Sequence, residues 1–142
     1  MDLEECRKKY LVKEISKDEE FISSIIKASK YKIKSEKLLP LNNFTTNSKI
    51  TLAYDCLREL LEALSIKNKL KIYNHECYTP FLKEVIKKSN LADDFDEIRK
   101  IRNSINYYGK IITIEECKSI LEKIYNLIKS IKIILKEHEP PS

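Results

Sequence analysis

A single glycine, at position 109, serves the whole 142-residue chain. Tight turns and hairpins that need positive φ are therefore scarce, and the chain is expected to be mostly helical. The four prolines, Pro40, Pro80, Pro140 and Pro141, fall outside every strong helical pattern. The four cysteines, Cys6, Cys56, Cys77 and Cys117, form no CxxC pair, which argues against a zinc knuckle or a thioredoxin-like site. No apolar run approaches about 18 residues, so no membrane span is expected. The opening "MDLEECRKKY" is acidic and then basic, unlike a secretory leader. These features lead to the expectation of a cytoplasmic protein with reduced thiols. No block of five or six like charges occurs, although Lys and Arg outnumber Asp and Glu by 27 to 22. The net charge of +5 permits contact with nucleic acid or another polyanion. Lysines spread this evenly read equally well as a solvated charged surface.

What remains is a globular composition, 42% hydrophobic and 35% charged, of a length that makes one domain, 1–142. Residues 2–14 read as a short N-terminal helix (1–15 with its flanks). "SKDEEF" offers Ser16 as an N-cap with Glu19 three residues on. A helix then runs to about Leu39, where Pro40 ends it. After the polar loop 41–49, with Asn47 or Ser48 as cap, a stripe of Ile50, Ala53, Tyr54, Leu57, Leu60, Leu61 and Leu64 marks the next helix. Residues 65–78 look irregular. Thr79 and Pro80 open a helix to about Lys88. Asn90 and the acidic "DDFDE" begin another, which Gly109 is placed to stop in a left-handed conformation. Thr113 and Glu116 make a capping box for a long last helix, striped from Ile114 to Leu135, and 138–142 are expected to fray. The expected fold is all-α: an antiparallel up-and-down bundle of four main helices plus one or two short ones. Ile133 and Ile134 widen the last stripe, which suggests packing on a partner chain or, equally simply, a central helix.

The chemistry concentrates in "EIRKIRNSINYYGKIIT", residues 97–113. At about 100° per residue, Ile98, Ile101 and Ile105 cluster on one side of a helix. Arg99, Arg102, Asn103 and Asn106 form a polar strip beside them, Tyr107 lies past the strip, and Tyr108 falls on the apolar side. A guanidinium at the edge of a core is suited to hold a phosphate bidentately, with asparagines to orient it. The alternative is structural: Arg102 pairs with an acid of its own fold, and the tyrosines pack.

An amphipathic helix ending "IRNSINYYG", followed by a capped long helix, resembles the HEPN domain superfamily (higher eukaryotes and prokaryotes nucleotide-binding). "KIYNHECYTPFLKEVI" and "ITLAYDCLRELLEALS" match the character of neighbouring parts of that domain, so the resemblance covers about residues 16–137. It implies a homodimer and, in catalytic members, a metal-independent endoribonuclease whose two chains bring Arg and His residues into one cleft. Arg102 matches the family Arg and Asn103 the polar residue after it. Where the family keeps a His, after four to six intervening residues, this chain has Tyr107, Tyr108 and Gly109. The sequence thus reads as a divergent member lacking that His. A tyrosine ordinarily titrates near about 10 and is a poor base at neutral pH, though it donates a hydrogen bond. Of the histidines, His138 lies in the tail and His75 opens a helix, where a capping or packing role is the plainer reading.

The resemblance also implies a partner, a minimal nucleotidyltransferase acting as antitoxin. In some such pairs a Tyr two residues beyond the His carries AMP, a spacing that Gly109 interrupts here. The resulting expectation is an HEPN-like dimer that binds RNA or nucleotide phosphate, with Arg102, Asn103 and Tyr107 as the catalytic set and Arg99, Asn106, Tyr108 and His75 as further binding residues. No cofactor and no metal are expected, since His75, Glu76 and Cys77 are adjacent and cannot all face one ion. The competing expectation is a non-catalytic dimeric scaffold.

Overall fold

The computed structural model describes residues 1–137. In chain order these form α1 (Leu3–Lys8), β1 (Val12–Glu14), α2 (Glu19–Leu38), α3 (Thr46–Lys67), β2 (Leu70–Ile72), a 3-10 turn (His75–Cys77), α4 (Tyr78–Glu84), α5 (Ser89–Tyr108) and α6 (Ile114–Glu137). The fold is a mainly α-helical bundle. Contacts between helix ends give the directions. Lys49, at the start of α3, meets Glu36, near the end of α2. The start of α6 lies on the start of α3, where the Cys117 thiol faces the Thr46 carbonyl, and Lys67 donates to the Leu135 carbonyl at the far end. Lys123 of α6 meets Glu97 of α5, while Leu91 and Asp94, earlier in α5, lie with Leu127 and Ser130, later in α6, so these two helices run antiparallel. The chain therefore goes up α2, down α3, up α5 and down α6.

α3 is the axis of the molecule. Leu57, Leu60, Leu61 and Leu64 are buried, and so are Ala63 and Ile66 on its other sides. A helix apolar around most of its girth has to be surrounded, and α2, α5, α6 and β2 all pack on it. Three of its charged residues are buried too, each with a partner. Lys49 reaches the Glu36 carboxylate at 2.7 Å and the carbonyls of Glu36 and Leu39 at 2.8 Å each. Glu59 pairs with Lys32, and Glu62 with both Arg58 and Lys71. Burial alone would raise the Glu62 pKa, but the bonds from Lys71 and Arg58 outweigh it and hold the carboxyl below its usual range.

Several expected boundaries shift. Residues 2–14 are not one helix: Tyr10 at φ 60 turns the chain in the left-handed region, and Val12–Glu14 pair antiparallel with Leu70–Ile72. That pairing also gives order to part of the segment read as irregular. The N-cap of α2 is Asp18, accepting from Phe21 N at 3.0 Å, and not Ser16. Neither Asn47 nor Ser48 caps α3, which begins a residue earlier with Thr45 at the cap position. Asn47 is turned outward, donating to the Lys110 carbonyl at 2.9 Å and accepting from Ile112 N at 3.0 Å. α4 stops at Glu84, short of Lys88, and α5 begins at Ser89. Gly109 caps α5 at φ 64, as its spacing predicts, and Thr113 and Glu116 exchange both bonds of a capping box. Ile134 is buried, whereas Ile133 remains half-exposed. The expected fraying of 138–142, and His138, lie outside the described residues.

The thiols also depart from expectation. Cys6 and Cys77, 71 positions apart, are joined in a disulfide, while Cys56 and Cys117 are free and buried. Spacing along the chain carried no sign of this contact, because only the packing of α1 on α4 brings the two together. Among the described residues no helix is long and apolar enough to cross a membrane.

Candidate functional site

The segment 73–76, which leads from β2 into the 3-10 turn, faces the second half of α5 across a polar cavity of about 390 Å³. One wall is Tyr73, Asn74, His75 and Glu76. The other is Arg99, Arg102, Asn103 and Tyr107. Helical spacing places the α5 residues on one face, and two local devices place the opposite wall. Asn74 accepts from Glu76 N at 2.8 Å and so sets the 3-10 turn, and the disulfide at Cys77 ties the end of that turn to α1.

Beneath the cavity lies an aromatic cluster. Tyr54 of α3 stacks near Phe95, with centroids 6.2 Å apart, and Phe95 meets Tyr78 edge-on at 6.0 Å. The Arg102 guanidinium sits 5.3 Å from the Tyr54 ring centre, in cation–π range. Its nearest carboxylate, Asp55, is 3.9 Å away, a loose pair. Asn106, with its amide oxygen turned inward, accepts from Arg102 Nη2 at 3.2 Å and also from Nη1. Arg102 is thus positioned by a ring and an amide and only weakly neutralised by an acid. Arg99 is paired more closely: its Nε and Nη2 both donate to Asp96 Oδ1, at 3.1 and 2.9 Å. Thr79 and Lys100 bond the same carboxylate. Burial opposes ionisation of Asp96, but these donors prevail and keep its pKa below the usual value.

His75 is the less expected member. Its Nδ1 lies 3.0 Å from the Tyr54 hydroxyl. Burial first, then the Arg58 and Arg102 charges, pushes the imidazole down to about 4, so it is neutral at pH 7. Burial likewise lifts the Tyr54 phenol to about 12, partly offset by Arg102, and keeps its proton on. A phenol that donates here sets the ring as the Nε2–H tautomer. The site therefore offers one lightly paired guanidinium, a neutral imidazole and amide groups, the equipment to receive a phosphate and hydrogen-bond its surroundings.

Compared with family models, curated proteins and solved structures, the chain matches none.

Of the residues singled out from sequence, the cavity gathers Arg99, Arg102, Asn103, Tyr107 and His75. Asn106 supports Arg102 from the side. Tyr108 does not line the cavity and does not pack on the apolar side either, being 85% exposed, because α5 ends there with nothing over its last turn. Tyr54, Asp55, Asp96 and Asn74 were not anticipated as parts of the site. Tyr54 read as core, which it is; its hydroxyl has a polar task that no apolar stripe encodes. Among the described residues no cluster of three or more side chains is suited to a metal ion.

Proposed function

We propose that this chain is an HEPN-like dimeric protein that binds RNA or nucleotide phosphate through Arg102 and Asn103. The observation that carries the reading is the one polar cavity where Arg102, held over Tyr54 and only loosely paired, meets Asn103, Tyr107 and His75. In this reading Arg102 clamps a phosphate, Asn103 orients it, and Tyr107, exposed at the rim, contacts the substrate. Pairing of the chain with a second copy, and with a minimal nucleotidyltransferase as antitoxin, belongs to the same proposal, as does a cytoplasmic setting.

Endoribonuclease activity is the further step of this reading. Attack of a ribose 2′-OH on the adjacent phosphorus needs a group to take that proton and one to protonate the leaving oxygen. With no His at the end of α5, the proton-transfer candidates across the cavity are the Glu76 carboxylate and His75, whose Nδ1 can take a proton only when the Tyr54 hydroxyl releases it. An imidazole pushed down to about 4 is a weak base at neutral pH, so any cleavage is expected to be slow.

The test is fluorescence anisotropy with a labelled single-stranded RNA at two salt concentrations, on wild type and Arg102→Ala. Wild type should bind with an affinity that falls as salt rises, and the variant should lose at least about tenfold while melting normally. Absence of RNA binding even at low salt overturns the proposal. Cleavage assays in excess chelator, with His75→Ala and Tyr107→Phe, separate catalysis from binding.

The alternative, a non-catalytic dimeric scaffold, draws on the same Arg102 contacts with Tyr54, Asp55 and Asn106, since a residue so held also organises the helices beneath it. On that reading Arg102→Ala lowers stability or dimerisation and leaves RNA affinity unchanged.

A further inference from the structure

A second cavity, also of about 390 Å³, lies between α2 and α6. Its floor is apolar, made by Ile33, Ile128, Ile133 and the side chain of Tyr125. Ile133 is 51% exposed there, although its neighbours Ile134 and Leu135 are buried. The rim is Lys37, Lys129, Lys132 and Lys136, and no acidic side chain lines the groove. Among the described residues none of these four lysines forms a salt bridge. Some exposed lysines elsewhere do, Lys8 with Glu4, Lys100 with Asp96 and Lys123 with Glu97; others, such as Lys30 and Lys34, do not, so what marks the groove is four such lysines around one apolar floor. Glu36, which the Tyr125 hydroxyl reaches, is buried and also taken by Lys49. Lys37 lies over the Tyr125 ring, 5.2 Å from its centre, and among the described residues the groove thus combines four lysines lacking an acid partner with an apolar floor of isoleucines.

Its shape narrows the occupant. The α6 residues that line it fall on successive turns of one helix face between 125 and 136, about 16 Å of axis, which matches about three turns of a helix laid alongside. A second copy of this chain, docked face to face about a two-fold axis, would set the same four lysines against one another, an arrangement that like charges disfavour. A phosphodiester strand would answer the lysines and leave the isoleucine floor unmatched. A helix with an apolar ridge and acidic flanks satisfies both parts and matches the length of the groove.

We propose that the α2–α6 groove is the docking site for an acidic amphipathic helix of another protein, its apolar ridge on Ile33, Ile128 and Ile133 and its carboxylates on the four lysines. The site is separate from the cavity around Arg102 and does not depend on what that cavity does.

The probe is a synthetic fluorescein-labelled helical peptide with leucine at each third or fourth position and glutamate on both flanks, titrated into the full chain. A sister peptide with lysine in place of glutamate is the control. The acidic peptide should bind in a salt-sensitive manner and the basic one should not. Lys129→Glu with Lys132→Glu should weaken binding at least about tenfold, and Ile133→Asn should weaken it at least about fivefold. Arg102→Ala should leave it unchanged. All three groove side chains are exposed, and melting curves check that the variants fold. No binding of the acidic peptide, or binding indifferent to these substitutions, overturns the proposal. So does RNA binding that is lost on lysine reversal yet untouched by Ile133→Asn while the peptide fails to bind, which would make the groove a nucleic-acid surface. Sedimentation in which Ile133→Asn turns a dimer into a monomer also overturns it, assigning the groove to a second copy.

Discussion

His75 shows how much a single side chain can depend on its surroundings. Its folded-state pKa of about 4 lies below the ordinary 6.5, so the unfolded chain takes up a proton first as pH falls. Between those values the unfolded state binds more protons than the folded one, and stability must fall with falling pH. Thermal melts from neutrality down to about pH 5, above most of the carboxylate range, should show a declining midpoint. His75→Gln, which keeps an acceptor for Tyr54 and does not titrate, should flatten that decline; an equal slope in both proteins would refute the account. Arg102 tests geometry against charge. Arg102→Lys preserves the positive charge and loses the planar fork, so RNA affinity should drop about tenfold if a phosphate is gripped bidentately. An affinity equal to wild type would mean that Arg102 contributes only charge. His75 was visible in the sequence as a residue, but its place in the cavity was not. The contact with Tyr54 joins positions 21 apart on two different elements, and no local pattern reports it.

The helices themselves were largely legible, because each announces itself by a periodic stripe and a punctuation mark. Gly109 and the Thr113–Glu116 box are read from neighbours in sequence and appear where expected. Gly109 has open space where a Cβ would stand, so Gly109→Ala should cost only the backbone penalty of a left-handed alanine, about 1 kcal/mol in a denaturant melt. A much larger loss would reveal packing that the open space does not suggest. The three-residue strands were missed for the opposite reason. Val12 pairs with Ile72 across 60 positions, and neither segment is long enough to show alternation by itself. The α2–α3 seam was hidden as well. Lys49 and Glu36 look like surface charges in the sequence yet are nearly sealed from solvent. Lys49→Met should leave the Glu36 carboxylate buried without its cation and cost about 3–5 kcal/mol. A loss below about 1 kcal/mol would indicate that the carboxyl simply takes up a proton.

At the scale of the whole molecule, the bundle matches the expected class, while the Cys6–Cys77 bond does not follow from any count of cysteines. A cross-link that closes a loop of this length restricts the unfolded chain by an amount worth about 4 kcal/mol in the chain-entropy treatment. Reductant should therefore lower the denaturation midpoint markedly, and Cys6→Ala with Cys77→Ala should reproduce the effect without reductant. A midpoint indifferent to both would show that the bond does not form in solution. The cavity should feel the change too, since His75 stands two residues from the linked Cys77.

The same bond makes the polypeptide a covalent ring with a tail. Positions 6 to 77 close the ring, which holds the second half of α1, then β1, α2, α3 and β2; α4, α5 and α6 hang from it as an open strand. A protease that cuts in the ring opens it but releases nothing, whereas one cut in the tail frees a piece at once. Phe44, 94% exposed between α2 and α3, and Tyr10, 89% exposed, offer chymotrypsin targets in the ring, and Tyr107 and Tyr108, 75% and 85% exposed at the end of α5, offer them in the tail. Nicked at Phe44, the chain should run as a single species on a non-reducing gel and fall into two only after reduction. Nicked after Tyr107 or Tyr108, it should lose α6 under either condition, and with α6 one wall of the lysine-rimmed groove.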